Sequence, residues 1–201
     1  ELVEFAFQQG NLAQARLYLL EVMALATAND FAVMRCRWQS LLALVILYIG
    51  DHREALRLLD ENLHVATELK NKFYLANTCA YLAEAALWEA DYDQAGRWLA
   101  QSLAHNPDVQ SIALFQLERL LVAARLSAGQ QQYICSALLF GLEAHLRRHL
   151  SYELIAPLQT QVDAALVAVR AALGDDVFIE VLNRGRQLEL GTAFAPFLLP
   201  S

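Results

Sequence analysis

The sequence predicts an all-α protein, and three observations lead there. Glycine and proline are scarce, 8 and 4 in 201 residues, and they fall between long Ala- and Leu-rich stretches with almost no strand signal. Apolar residues inside those stretches recur at helical spacing, as in Leu56, Leu59, Leu63 and Ala66. Finally, similar segments return every 40 residues, which predicts helical hairpins stacked into a solenoid.

In chain order, helices are expected over 1–8, 11–27, 30–49, 51–69, 72–89, 91–105, 108–128, 130–149, 152–173 and 175–186, with a short one over 190–198. Gly10, Gly50, Gly129 and Gly174 each end one stretch. Pro107 and Pro157 sit near helix starts, where a missing N–H costs little. Asp30, Asp51, Asp108, Ser151 and Asp175 read as N-terminal caps or first-turn acids.

The repeat aligns without gaps. Gly10-Asn11-Leu12-Ala13-Gln14-Ala15, Gly50-Asp51-His52-Arg53-Glu54-Ala55 and Ala90-Asp91-Tyr92-Asp93-Gln94-Ala95 superimpose. Leu19, Leu59 and Leu99 follow the shared Ala by four, and Ala43 and Ala83 precede it by 12. A small residue with Asp or Asn makes the turn, the shared Ala lets two helices approach, and the Leu one turn on fills the layer beneath. One hairpin cannot bury its own apolar face, so hairpins near 1–28, 30–69, 72–106, 108–149 and 152–186 are expected to stack as one unit over 1–201. A greasy segment over 187–201 is expected to cap the last hairpin.

Composition narrows the function. A net charge of -7 gives no general pull toward nucleic acid or anionic membrane. With 57% apolar residues and 18% charged, the chain has ample material for a core. The longest apolar run, Leu41 to Ile49, is too short to span a bilayer, and no signal peptide is visible, so a cytoplasmic protein with no membrane contact is expected. The first residue is Glu rather than Met, which reads as a piece of something longer whose exposed first hairpin self-associates.

Catalytic and metal motifs are missing from the sequence. There is no Gly-rich phosphate loop, no Gly-x-Ser-x-Gly and no His-Glu-x-x-His. The acid pairs Asp60-Glu61 and Asp175-Asp176 point about 100° apart on a helix. His145 and His149 stand four apart, with Glu153 beyond, but Arg147 and Arg148 would repel a cation, so a solvated helix end is expected. Cys36, Cys79 and Cys135 form no disulfide framework and read as small apolar side chains. The sequence therefore predicts no enzyme, no metal and no cofactor.

The pattern resembles the tetratricopeptide repeat (TPR) through Ala83, Asp91-Tyr92, Ala95, Leu99 and Pro107. It departs at the first-helix Trp, replaced by Gln39 and Cys79, and in a period of 40 residues rather than the usual ~34, which adds about 9 Å of helix per hairpin. Leu173-Gly174, Phe178, Gly185-Arg186, Leu188 and Ala193 resemble the ending of the repeat region in bacterial signal-transducing ATPase regulators, LuxR-type and MalT-like transcriptional activators. That resemblance implies a sensor or interaction region that binds a small-molecule inducer, a peptide or a partner protein and controls oligomerisation. DNA contact would belong to a separate domain. The alternative is a stand-alone scaffold. The repeat register implies a concave face carrying Arg37, Ser40, Leu44 and Tyr48, then Asn77, Ala80, Glu84 and Trp88, then Gln116, Arg119 and Ala123. A peptide-carboxylate clamp is not expected, because Arg37 with Leu41 and Asn77 with Tyr81 lack its basic pair.

Overall fold

The structure, a computed structural model, describes residues 2–106 and 113–198. Among the described residues there are eleven α-helices, one short 3-10 turn and no strand. They are α1 (Leu2–Gln8), α2 (Leu12–Ala28), α3 (Ala32–Ile49), α4 (His52–Glu68), α5 (Lys72–Trp88), α6 (Tyr92–His105), α7 (Ala113–Gly129), α8 (Tyr133–Leu150), α9 (Ala156–Leu173), α10 (Asp175–Gly185) and α11 (Leu190–Phe194), then the 3-10 turn Ala195–Phe197. Pro107, Asp108 and the expected helix start at 108 lie outside the described residues, as do Glu1 and 199–201.

The turns show why the helices stop where they do. Gly10, Asp30, Gly50, Lys70 and Ala90, every twentieth residue, have left-handed φ of +70°, +54°, +102°, +52° and +56°. After each, the next N–H donates to a carbonyl five residues back: Asn11 to Ala6, Phe31 to Ala26, Asp51 to Ile46, Asn71 to Ala66 and Asp91 to Ala86. This double closure satisfies carbonyls that a helix end leaves orphaned. The Asn or Asp that follows then caps the next helix. Asn11, Asp51, Asn71 and Asp91 accept from the backbone N–H of Gln14, Glu54, Tyr74 and Gln94. Asp30 and Ser151, expected as caps, are instead the left-handed turn residues, and α3 and α9 begin later than expected, at Ala32 and Ala156.

Packing follows the repeat. Ala15, Ala55 and Ala95 are fully buried, as are Leu19, Leu59 and Leu99 one turn on, and Ala43 and Ala83 in the preceding helices. Small residues let neighbouring helices approach, and the Leu fills the space beneath. From α1 to α10 each helix packs on the next, while α3, α5, α7 and α9 also touch in succession, forming a row. Buried polar groups join the rows: Asn62 Nδ2 donates to Thr78 Oγ1 at 2.9 Å, and Ser102 Oγ donates to the Ala76 carbonyl at 2.7 Å. By length and composition α3 could cross a membrane, but more than half of it is buried against its neighbours.

Gly185 closes α10 and faces Gly141 of α8, so these helices touch backbone to backbone. Beyond it the chain runs back past the last hairpin. Phe194 lies 5.4 Å from the Arg119 guanidinium, and the 3-10 turn packs on α6.

Candidate binding groove

Helices α1, α3, α5 and α7 frame an open groove of about 360 Å³. Phe7 of α1 forms one end, and Tyr152, just after α8, forms the other. Arg37, Trp38 and Leu41 come from α3, Phe73, Tyr74, Asn77 and Tyr81 from α5, and Phe115 and Glu118 from α7. Seven lining side chains are aromatic, which gives flat apolar walls suited to a ring or an alkyl body. Phe73 meets Phe115 edge to face at 5.4 Å and Tyr74 at 5.6 Å, so this wall is held by ring contacts.

The structure places the expected groove residues in three groups. Arg37 and Asn77 line the groove. Leu44, Tyr48 and Glu84 share the inner face but lie nearer the carboxyl ends of α3 and α5. There Leu158 of α9 covers them, closing a cavity of about 20 Å³. Trp88 joins this closed half, with its ring 6.0 Å from Tyr48, and Tyr48 stacks on Phe7 at 6.4 Å. Ser40 is buried and returns its hydroxyl to the carbonyls of Cys36 and Arg37.

The third group faces away from the groove. Gln116 and Arg119 are fully buried on the opposite side of α7. The turns at Ala90 and Gln131 are 41 residues apart, so Asn77 corresponds to Glu118, whereas the expected register placed Gln116 only 39 residues after Asn77. A shift of two residues turns a helix by about 200°, which sends the side chain to the other face. Arg119 there donates to the carbonyls of Ser102 at 3.3 Å and Asn106 at 3.0 Å, and to Gln116. It lies over Phe115 at 4.6 Å, and desolvation lowers its guanidinium to about 10. It ties the carboxyl end of α6 to α7 and to Phe194.

Three charged groups line the groove. Arg37 pairs with Glu4 at 3.0 Å and its guanidinium covers the Trp38 ring at 4.6 Å. Glu118 is the remaining one, and Tyr81 Oη donates to it at 3.4 Å. Desolvation, opposed by Tyr81 and reinforced by the nearby Glu84 charge, pushes the Glu118 carboxyl up to about 7. Burial, with Glu118 nearby, also raises the Tyr81 and Tyr152 hydroxyls, so both stay protonated. Behind them, Glu84 is ion-paired with Arg125 and accepts from Trp88 Nε1 at 3.0 Å.

Glu118, Tyr81, Phe115 and Tyr152 were not among the expected groove residues. The internal repeat contains the signal for two of them, since Leu41 and Tyr81 are 40 apart and Asn77 and Glu118 are 41 apart. Tyr152 arrives through the fold alone.

Other candidates read differently in space. His145 and His149 stack with ring centroids 4.5 Å apart at the exposed end of α8, and no third ligand joins them among the described residues. Burial raises the Cys36 thiol to about 11 and the Cys79 thiol to about 12, which keeps both unreactive near neutrality. A second hollow of about 340 Å³ lies beside Tyr92, Gly129, Gln131 and Gln161, with Tyr92 and Tyr133 as its only two rings. No family model matches the chain, and neither a curated protein nor a solved structure matches it.

Proposed function

We propose that the chain is a right-handed tetratricopeptide-like solenoid, one unit over 1–201, that works as a binding module without catalysis of its own. The observation that carries this reading is the aromatic groove, to which α1, α3, α5 and α7 each contribute. Such a surface suits a ligand or peptide laid across several repeats. In the fuller form of the proposal, the module is the sensor region of a cytoplasmic bacterial regulator, and DNA contact belongs to another domain. An inducer or partner in the groove then acts by binding two states of the regulator with different affinity.

One observation favours the scaffold reading beside it. Leu17 and Leu20 on α2 are exposed, whereas Arg57 and Asp60 occupy the same places on α4. An apolar outer face on the first hairpin suits contact with a second protein or a second copy.

Sequencing the source gene on both sides tests the choice. A phosphate-loop ATPase upstream or a helix-turn-helix downstream supports the regulator. A reading frame with neither supports the scaffold.

A further inference from the structure

We propose that the groove selects a ligand with an organic ammonium group on an aromatic body, the ammonium seated beside Glu118 between Tyr81 and Tyr152. This rests on the binding-module reading and deepens it.

Charge complementarity sets the sign. Each arginine near the inner face is already committed. Arg37 is held by Glu4 and stacked on Trp38. Arg125 is buried, ion-paired with Glu84, and lines the second hollow rather than this groove. Arg119 faces away and is bonded to backbone carbonyls. That leaves Glu118, whose hydrogen-bond donor is the neutral phenol of Tyr81 at the long distance of 3.4 Å. An anion entering here would meet a carboxylate with no cation at hand. An ammonium would meet that carboxylate and the faces of aromatic rings, which attract cations.

The surroundings explain how such a site discriminates. Rings at Trp38, Tyr74, Phe73 and Phe115 continue the groove away from Glu118, so an aromatic body has walls to fill. The groups facing Glu118 are Tyr48 on α3, Tyr81 and Glu84 on α5 and Tyr152 beyond α8, with the Glu84–Arg125 pair behind them. None of these supplies a free positive charge. The carboxyl, raised to about 7, is therefore part protonated when the groove is empty, and a bound cation draws it into the ionised form. Binding releases a proton, and affinity rises with pH across neutrality.

Tryptamine, tryptophol and indole-3-propionate share one ring body and differ in charge, so titrating each into the protein by NMR tests the proposal. The expected result is that tryptamine binds about tenfold tighter than tryptophol, with indole-3-propionate weakest. Tryptamine affinity should also rise about tenfold between pH 6 and pH 8. E118Q should keep tryptophol binding and lose both the tryptamine preference and its pH dependence, with circular dichroism confirming the fold. Equal binding of all three would leave the groove reading standing and overturn the ammonium preference, and tighter binding of indole-3-propionate would also overturn it. No binding by any of them would count against the groove itself.

Discussion

Glu84 and Arg125 stand 41 residues apart at equivalent places on adjacent first helices, and they form an ion pair with each side chain 6% exposed. Glu84 lines the small cavity under Leu158 and Arg125 lines the second hollow, and Trp88 Nε1 gives Glu84 a second donor. Removing either partner leaves an uncompensated buried charge. E84L or R125M alone should each destabilise by about 3–5 kcal/mol, while E84L with R125M should recover most of the loss. Urea denaturation of the singles and the double checks this, and strictly additive losses would refute a coupled pair.

Gly141 and Gly185 fix the approach of α8 and α10. A methyl on Gly141 would fall 2.1 Å from the Leu182 carbonyl oxygen, and one on Gly185 would fall 2.0 Å from that of Leu138. Backbone cannot rotate away as a side chain can. G141A and G185A should each cost at least about 1–3 kcal/mol. G191A meets nothing within 4 Å and should stay within about 0.5 kcal/mol of the parent. Thermal unfolding of the three variants separates close packing from a general cost of alanine.

Ala90 holds a left-handed turn at φ +56° without glycine's freedom. Gly10 and Gly50 fill the corresponding places in earlier repeats. A90G should therefore stabilise by about 0.5–1 kcal/mol, the relief of strain exceeding the extra freedom of the unfolded chain. Denaturation midpoints measure it, and a loss of stability would contradict the turn geometry.

The Glu118 carboxyl carries a pH signature. Its folded value, about 7, lies above its ordinary 4.5, so the folded chain holds the extra proton between those values. Stability from this group is full below about 4.5 and declines as pH rises toward about 7. E118Q should flatten that decline relative to the parent, read as the difference between their stability profiles from pH 4 to pH 8. Parallel profiles would contradict the raised value.

Much of the helix pattern was legible because its causes are local. Ala15, Ala55, Ala95 and the Leu that follows each are fully buried, as a repeated small–large pair requires. Breaks at 28–29 and 70–71 were legible, but the left-handed backbone at Asp30 and Lys70 was not, since side-chained residues adopt it only occasionally. The groove was half legible. Arg37 and Asn77 line it, but covering of Tyr48 and Glu84 depends on Leu158, more than seventy residues away in sequence. The face of α7 turned on a two-residue difference in register between Gln116 and Glu118, and a shift of that size leaves no mark in composition.

Mapping the tryptamine site on the protein by amide chemical shifts is the most direct test of the central claim that the open half of the inner face is the binding surface. The account predicts shifts clustered at Leu41, Tyr74, Asn77, Tyr81, Phe115 and Glu118, with Tyr92, Gln131 and Gln161 of the second hollow unmoved. Shifts clustered at the second hollow, or spread over the outer helices, would contradict it.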